Sequence, residues 1–359
     1  MAFKKPQINQ VKNNIEELSI YLRSVKKFGK TTLFRDLILE KYGDPKKGLL
    51  VGVGNETGYS LLDNLNVTQA EDWDDLEDIK DWLIEKKGIE HDIKIVAFDV
   101  IDELMPLAEE EIKTRSTTDT GKICKTFNSA YGGYGEPRKQ LSKLVKEYFT
   151  ELKKAGIMPF AIAHTKVKSI KEKGEIDDGY NVLSSNLNND YESLFGDIFD
   201  CVLTGKIDRD IENNNVKQET RKLYFRGDGF VDAGCRFSKD SVPEYIVFDK
   251  ANMAREFINV LEEGLKKSRT KQITDEEFKA NQIKEEKESR EKAKKNQEKI
   301  IEEQQEIESK EEKIEKIKEN LTNLDMASLQ KIMTEYEVNN FEDVKTIPMK
   351  CLDEILALI

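Results

Sequence analysis

The sequence predicts an α/β protein built on a mostly parallel sheet, followed by a long charged helix and a small helical unit. Three observations predict it. Short apolar runs alternate with amphipathic stretches over roughly the first 265 residues, the pattern of strands joined by crossover helices. From Ser268 to Asn320 the chain is almost all Lys, Glu, Gln, Asn and Arg, with no Gly or Pro. Apolar spacing then returns from Leu321 to Ile359. These divisions give expected domains at 1–267, 268–320 and 321–359.

The elements follow in order. Glu17 to Arg23 (ELSIYLR) reads as a strand, and Thr31 to Tyr42 has helical spacing and stops at Gly43, a residue suited to a left-handed cap. Gly48 to Gly54 (GLLVGVG) is a buried strand. Asp74 to Lys87 starts acidic and ends basic, which suits the helix dipole. Ile93 to Phe98 is a strand, the chain turns helical from Val100, and Arg138 to Lys154 is an amphipathic helix. Ile157 to Ala163 and Ile198 to Leu203 are strands. Arg115 to Pro137 and Lys166 to Asp190 interrupt the pattern and read as long loops, which are usually functional or disordered. Lys222 to Phe225, Gly229 to Phe237 and Glu244 to Phe248 read as adjacent strands, with Arg226 to Gly229 as a turn, and Asn252 to Lys267 as a closing helix.

Within 268–320, 14 basic and 16 acidic residues nearly cancel, which favours i,i+4 pairing along a helix. Ile300, Ile307, Ile314 and Leu321 recur every seven residues, but of Glu303, Lys310, Ile317 and Leu324 only the last two are apolar. Both a solvated single helix and a weak coiled coil fit. The last segment, with Leu329, Ile332, Met333, Phe341, Val344, Leu352, Ile355, Leu356 and Ile359, reads as two or three small helices. It is too small to be very stable alone, so it is expected to dock on the main domain, a second subunit or a partner protein.

Composition excludes several classes. The chain has 359 residues, 36% of them charged, with 58 Lys and Arg against 70 Asp and Glu, net charge −12. Nucleic acid could be bound only through a local basic patch. No run approaches the ~20 apolar residues of a membrane span, and Met1 to Lys12 has no signal-peptide core. The cysteines 124, 201, 235 and 351 lie far apart, and only His91 and His164 accompany them. No zinc cluster follows from that spacing, and reduced thiols point to a cytoplasmic protein.

The chemistry concentrates in four places. Ser24 to Thr31 (SVKKFGKT) lies between a strand and a helix, the context of a phosphate-binding loop. Ser24, Lys27, Phe28, Gly29, Lys30, Thr31 and Thr32 are its expected nucleotide-binding residues. Lys30 would reach the β- and γ-phosphates and the Thr31 hydroxyl would ligate Mg²⁺, with helix-start amides receiving the charge. Ser24 stands where the motif has a glycine. Asp99 ends the strand Ile93 to Phe98 and is the expected second metal-supporting group. Glu56, just past the strand Gly48 to Gly54, is placed to orient and deprotonate an attacking water; Asp102 and Glu103 are rivals. His164 ends the strand Ile157 to Ala163, and ligands bind beyond the carboxyl ends of such strands, so it is read as a sensor of the terminal phosphate.

Together SVKKFGKTT, Glu56, VAFDVIDEL and FAIAHT resemble a RecA-type ATPase. The combination is most similar to the RecA-like phage proteins of the single-strand annealing group, and the closing RGDGFVDAGCRF with PEYIVFD also resembles their last strands. The similarity spans Glu17 to Phe248. It implies a RecA-like P-loop NTPase core using ATP and Mg²⁺, with Lys30, Thr31 and Asp99 as ligands, Glu56 as base and His164 heading a DNA-facing loop. It also implies a homo-oligomer with ATP between subunits, completed by a basic finger for which Arg226 and Arg236 are the options, and the cytoplasm of a bacterial host if phage-encoded. Lys166, Lys168, Lys171 and Lys173, with Tyr131 and Tyr134 as stacking surfaces, would contact single-stranded DNA. The competing expectation is a nucleotide-regulated interaction protein with little hydrolysis, recruiting a replication or packaging partner through 268–359. A kinase-like transferase ranks below both, for want of an Arg-rich lid.

Overall fold

The computed structural model describes residues 11–171, 179–212, 215–248, 252–269, 273–320, 325–336, 338, 340–341, 344 and 347–358. The chain forms two compact units, 1–286 and 287–359. Lys173, Leu321, Leu324 and Ile359 lie outside the described residues.

The first unit contains a mostly parallel sheet. Its strands are β1 (Ile20–Ser24), β2 (Gly48–Val53), β3 (Val67–Ala70), β4 (Ile95–Asp99), β5 (Met158–Ile170), β6 (Tyr180–Ser185), β7 (Cys201–Glu212), β8 (Asn215–Tyr224), β9 (Gly234–Cys235) and β10 (Tyr245–Val247). The order is β10-β8-β7-β1-β5-β4-β2-β3. From β7 to β3 every neighbouring pair is parallel, while β8 and β10 extend the sheet antiparallel. The helices are α1 (Lys30–Tyr42), α2 (Trp73–Glu85), α3 (Ile101–Thr120), α4 (Glu136–Lys154), α5 (Asn189–Ile198), α6 (Met253–Lys267) and the start of α7 (Asp275–Glu319). Alternation along β1 divides the core: Ile20 and Leu22 pack with Leu33, Phe34 and Phe257 on one face, and Tyr21 packs with Phe149, Phe195 and Phe199 on the other. The two faces are thus covered by α1 and α6, and by α2 to α5.

Local chemistry sets the ends. Gly43 takes φ 65° and its N–H closes α1 on Leu39 O, as a left-handed cap does. Asp72 accepts the Asp75 N–H at 2.9 Å and starts α2, an N-cap.

Several boundaries differ from expectation. Ile15–Glu17 is a 3₁₀ turn, and β1 begins only after Ser19, whose N–H and hydroxyl bond Asp200 at 3.0 and 2.8 Å. The mildly polar β3 was not foreseen, because it sits at the edge and Val67 is exposed. The interruption at Arg115 is instead the last part of α3, where Thr114, Thr117, Thr118 and Thr120 hydroxyls bond carbonyls one turn back. Lys166 to Asp190 is not a loop throughout. β5 runs on to Ile170 and pairs antiparallel with β6, from Thr165 with Ser185 to Ile170 with Tyr180. The strand expected at Ile198 starts at Cys201, since Ile198 ends α5. Gly229 to Phe237 contributes only β9, because the Asp228 carboxylate gathers the N–H groups of Phe230 and Val231 into a turn.

The second unit is the remainder of α7 with α8 (Met326–Glu335) and α9 (Met349–Leu356). Ile314 and Ile317 are buried with Leu329, Ile347, Cys351, Leu352 and Ile355. The end of the seven-residue repeat is therefore occupied within the chain. No described helix is long and apolar enough to cross a membrane.

Candidate nucleotide site

The sheet order puts β5 between β1 and β4. Ser24 is in register with His164, and Asp99 with Ile162. The loop after β1, Asp99 and His164 are thereby gathered at one edge, the carboxyl ends of neighbouring parallel strands, where such sheets bind ligands.

Ser24 is buried and belongs to the strand, and the residues of the loop with positive φ are Lys27 (62°) and Gly29 (107°). The turn thus makes no demand for glycine at position 24. Gly205 on β7 is its register partner, and an added Cβ there would stand 2.8 Å from Ser24 Cβ and 2.6 Å from the Phe28 ring. Phe28 is fully buried and packs 4.5 Å from Phe248, centroid to centroid. What Phe28 offers a phosphate is backbone; its side chain belongs to the core. Gly29 is the N-cap of α1 and its carbonyl accepts the Leu33 N–H at 2.8 Å. The amides of Lys30, Thr31 and Thr32 open the helix, with no intrahelical acceptor, and attract anions.

The Lys30 ammonium bonds Ser24 O at 3.3 Å and Val25 O at 3.4 Å. Burial lowers its pKa, and the charges of Asp99, Asp102 and Glu56 act against that. The Thr31 hydroxyl donates to Asp99 Oδ2 at 2.8 Å. Burial raises the Asp99 pKa, the Thr31 bond opposes it, and the Glu56 charge adds to it. Glu56 is half-buried and its Oε1 accepts the Gly58 N–H at 2.6 Å. Of its rivals, Glu103 lies behind Gly54, and Asp102 is committed to His164 and Asn186.

Thr31 and Asp99 form a hard-oxygen pair suited to Mg²⁺, which is commonly held by one or two carboxylates and the phosphates of its substrate. Among the described residues no group of three or more His, Cys, Asp and Glu could enclose a metal without such help.

The pair, the buried lysine and the loop before α1 stand in the strand–loop–helix arrangement that a phosphate-binding loop requires. A family model described as an AAA domain matches residues 16–237. The chain belongs to the AAA domain family. No curated protein matches it. The match makes this a P-loop ATPase-type domain, and it covers β1 to β9, every strand of the sheet except β10.

The remaining expected residues are dispersed around this AAA domain. Tyr131 is held by its hydroxyl to Asp119 at 2.7 Å and by its N–H to Ser116 Oγ at 2.9 Å, and burial with the Asp119 bond pushes its pKa up to about 12. Tyr134 is fully exposed. Lys166 and Lys171 are exposed, whereas Lys168 bonds Leu187 O at 2.9 Å and Asn189 Oδ1 at 3.3 Å. Arg226 donates to Phe237 O and Ser238 O, and Arg236 to Asp200 and Asp197 O. Both options for a finger are thus tied down within their own chain.

Sequence reasoning missed Arg23. It is fully buried one residue before the loop, paired with Glu192 and with Asp232 at 2.8 Å, and bonded to Thr204 Oγ1 at 2.9 Å. A charge closing an apolar strand was the available signal, since a buried guanidinium needs partners. Asn186 was missed as well; nothing in its local sequence distinguishes it.

Proposed function

We propose that this AAA domain binds ATP with Mg²⁺ and hydrolyses it, in the manner of RecA-like ATPases. The observation that carries the reading is the 2.8 Å bond between Thr31 and Asp99 beside the buried Lys30. The helix-start amides and Lys30 take the phosphate charge in place of water. Thr31 and Asp99 are the residues for the metal, which supplies charge neutralisation at the transferred phosphoryl group. Glu56 takes the proton of the attacking water, leaving Gly58 as it turns inward. His164 meets the terminal phosphate from the strand between the loop and Asp99.

The reading extends to single-stranded DNA, through Lys166 and Lys171 on the β5–β6 hairpin and Tyr134 in the turn before α4, and to a homo-oligomer. The likeness to phage single-strand annealing proteins in the motifs around Lys30, Asp99 and His164 supports it. The test is ATP hydrolysis with and without single-stranded DNA, with Lys30→Ala as control. Turnover that rises with DNA and vanishes in the variant is expected. Nucleotide binding without turnover would instead favour a nucleotide-regulated interaction protein acting through its C-terminal unit, a reading favoured by the engagement of Glu56 with Gly58.

A further inference from the structure

Asp102 is the second residue of α3, three positions beyond Asp99, and its carboxylate serves two other elements. Oδ2 accepts the His164 N–H at 2.9 Å and lies 3.4 Å from His164 Nδ1. Oδ1 accepts from Asn186 Nδ2 at 3.0 Å. Asn186 closes the circuit, because its N–H donates to His164 O at 2.9 Å. Asp102 and His164 side chains are 12% and 23% exposed. One carboxylate thus joins the start of α3, the middle of β5 and the residue that follows β6.

Burial alone would raise the Asp102 pKa, but the bonds from His164 and Asn186 hold it below the ordinary value. Asp102 is therefore ionised at neutral pH, and an ionised carboxylate only accepts. The ring nitrogen facing it must carry the proton, since a lone pair there would face a negative oxygen. Nε2 is then the one ring nitrogen left to meet a ligand. His164 lies within electrostatic reach of Asp99, so the ring belongs to the same neighbourhood as the Thr31–Asp99 pair.

We infer that Asp102 and Asn186 are positioning residues that fix the His164 ring, with Nδ1–H turned to Asp102 and Nε2 turned to the nucleotide, whose phosphate it meets as a donor once it too carries a proton. The inference deepens the proposed function and rests on His164 as the residue that meets the terminal phosphate. It assigns Asp102 a task that excludes it as the base, and gives the β5–β6 hairpin a direct bond to the site.

The chain has two histidines, so ¹⁵N-histidine labelling of the full chain gives two ring systems, assigned with His91→Gln. In the nucleotide-free protein above neutral pH, His164 is expected as the Nδ1–H tautomer, and Asp102→Ala is expected to abolish that preference. A wild-type ring protonated at Nε2, or a tautomer unmoved in Asp102→Ala, would overturn the inference; the wild-type spectrum alone decides if the variant does not fold. In turnover, Asp102→Ala and Asn186→Ala should each lower kcat about tenfold or more, with KM for ATP within about twofold. Adding either to His164→Ala should cost nothing further. Full kcat in both single variants while His164→Ala is impaired would also overturn it. Full kcat in His164→Ala, with the tautomer as expected, would instead remove the sensor reading and leave the ring clamp standing.

Discussion

The Phe28 ring lies 4.5 Å from the Phe248 ring, and both are buried. The loop between β1 and α1 is thereby fastened to the core by a side chain within it. Phe28→Ala should destabilise the domain by about 3–5 kcal/mol and weaken nucleotide binding together with it. Urea unfolding and nucleotide titration of the variant check this. An unchanged midpoint would show that the ring is dispensable to the core.

Arg23 has no exposed side-chain surface and is held by Glu192 and Asp232. Removing one partner of a buried pair strands a charge and costs about 3–5 kcal/mol. Arg23→Met should cost more than Glu192→Gln, since Asp232 still answers the guanidinium in the latter. The double variant should be more stable than the sum of the two losses predicts. A double-mutant cycle by urea unfolding measures the coupling.

Lys87 donates to the carbonyls of Ala155 and Gly156, at 2.7 and 2.6 Å, where the chain leaves α4. Burial lowers its pKa from 10.5 to about 8, and the nearby Lys94 adds to that. Between those values the unfolded chain binds more protons than the folded one, so this residue makes stability rise with pH. Its penalty is full below pH 8 and is relieved above it. The stability difference between wild type and Lys87→Met, followed by urea unfolding from pH 7 to 9.5, should therefore shift in favour of wild type as pH increases.

The start of α7 belongs to the first unit. Phe278 is buried in its core, and Glu285 accepts from Asn13 N at 3.0 Å, Asn13 Nδ2 at 2.6 Å and Asn14 Nδ2 at 3.1 Å. A chain cut after Glu286 should unfold cooperatively, with a midpoint near that of the first transition in the full chain. A chain cut after Lys267 should melt lower, because Phe278 leaves a hole behind it. Equal melting of the two would show that this stretch adds nothing.

The alternating pattern of apolar strands and amphipathic helices was legible because burial on both sheet faces demands it: Ile20, Tyr21 and Leu22 serve opposite faces without a polar residue between them. The strand–loop–helix context of Ser24 to Thr31 and the place of Asp99 at the end of β4 were legible from residue type and spacing. The hairpin was not. Lys166, Lys168 and Ser169 look like loop residues because β5 leaves the core at His164, so its ladder bonds continue where its side chains no longer report burial. Nor could sequence show that Tyr131 and Lys168 are held while Tyr134 and Lys166 are exposed, because the partners Asp119, Leu187 and Asn189 are set by where helices end.

One strand, β5, runs unbroken from Met158, in the core, to Ile170 at the surface, with His164 midway. At ~3.3 Å per residue, the part beyond His164 reaches about 20 Å. A tilt of about 5° at His164 would displace the far end by about 2 Å, so the length of the strand alone turns a small angular change into a displacement of atomic size.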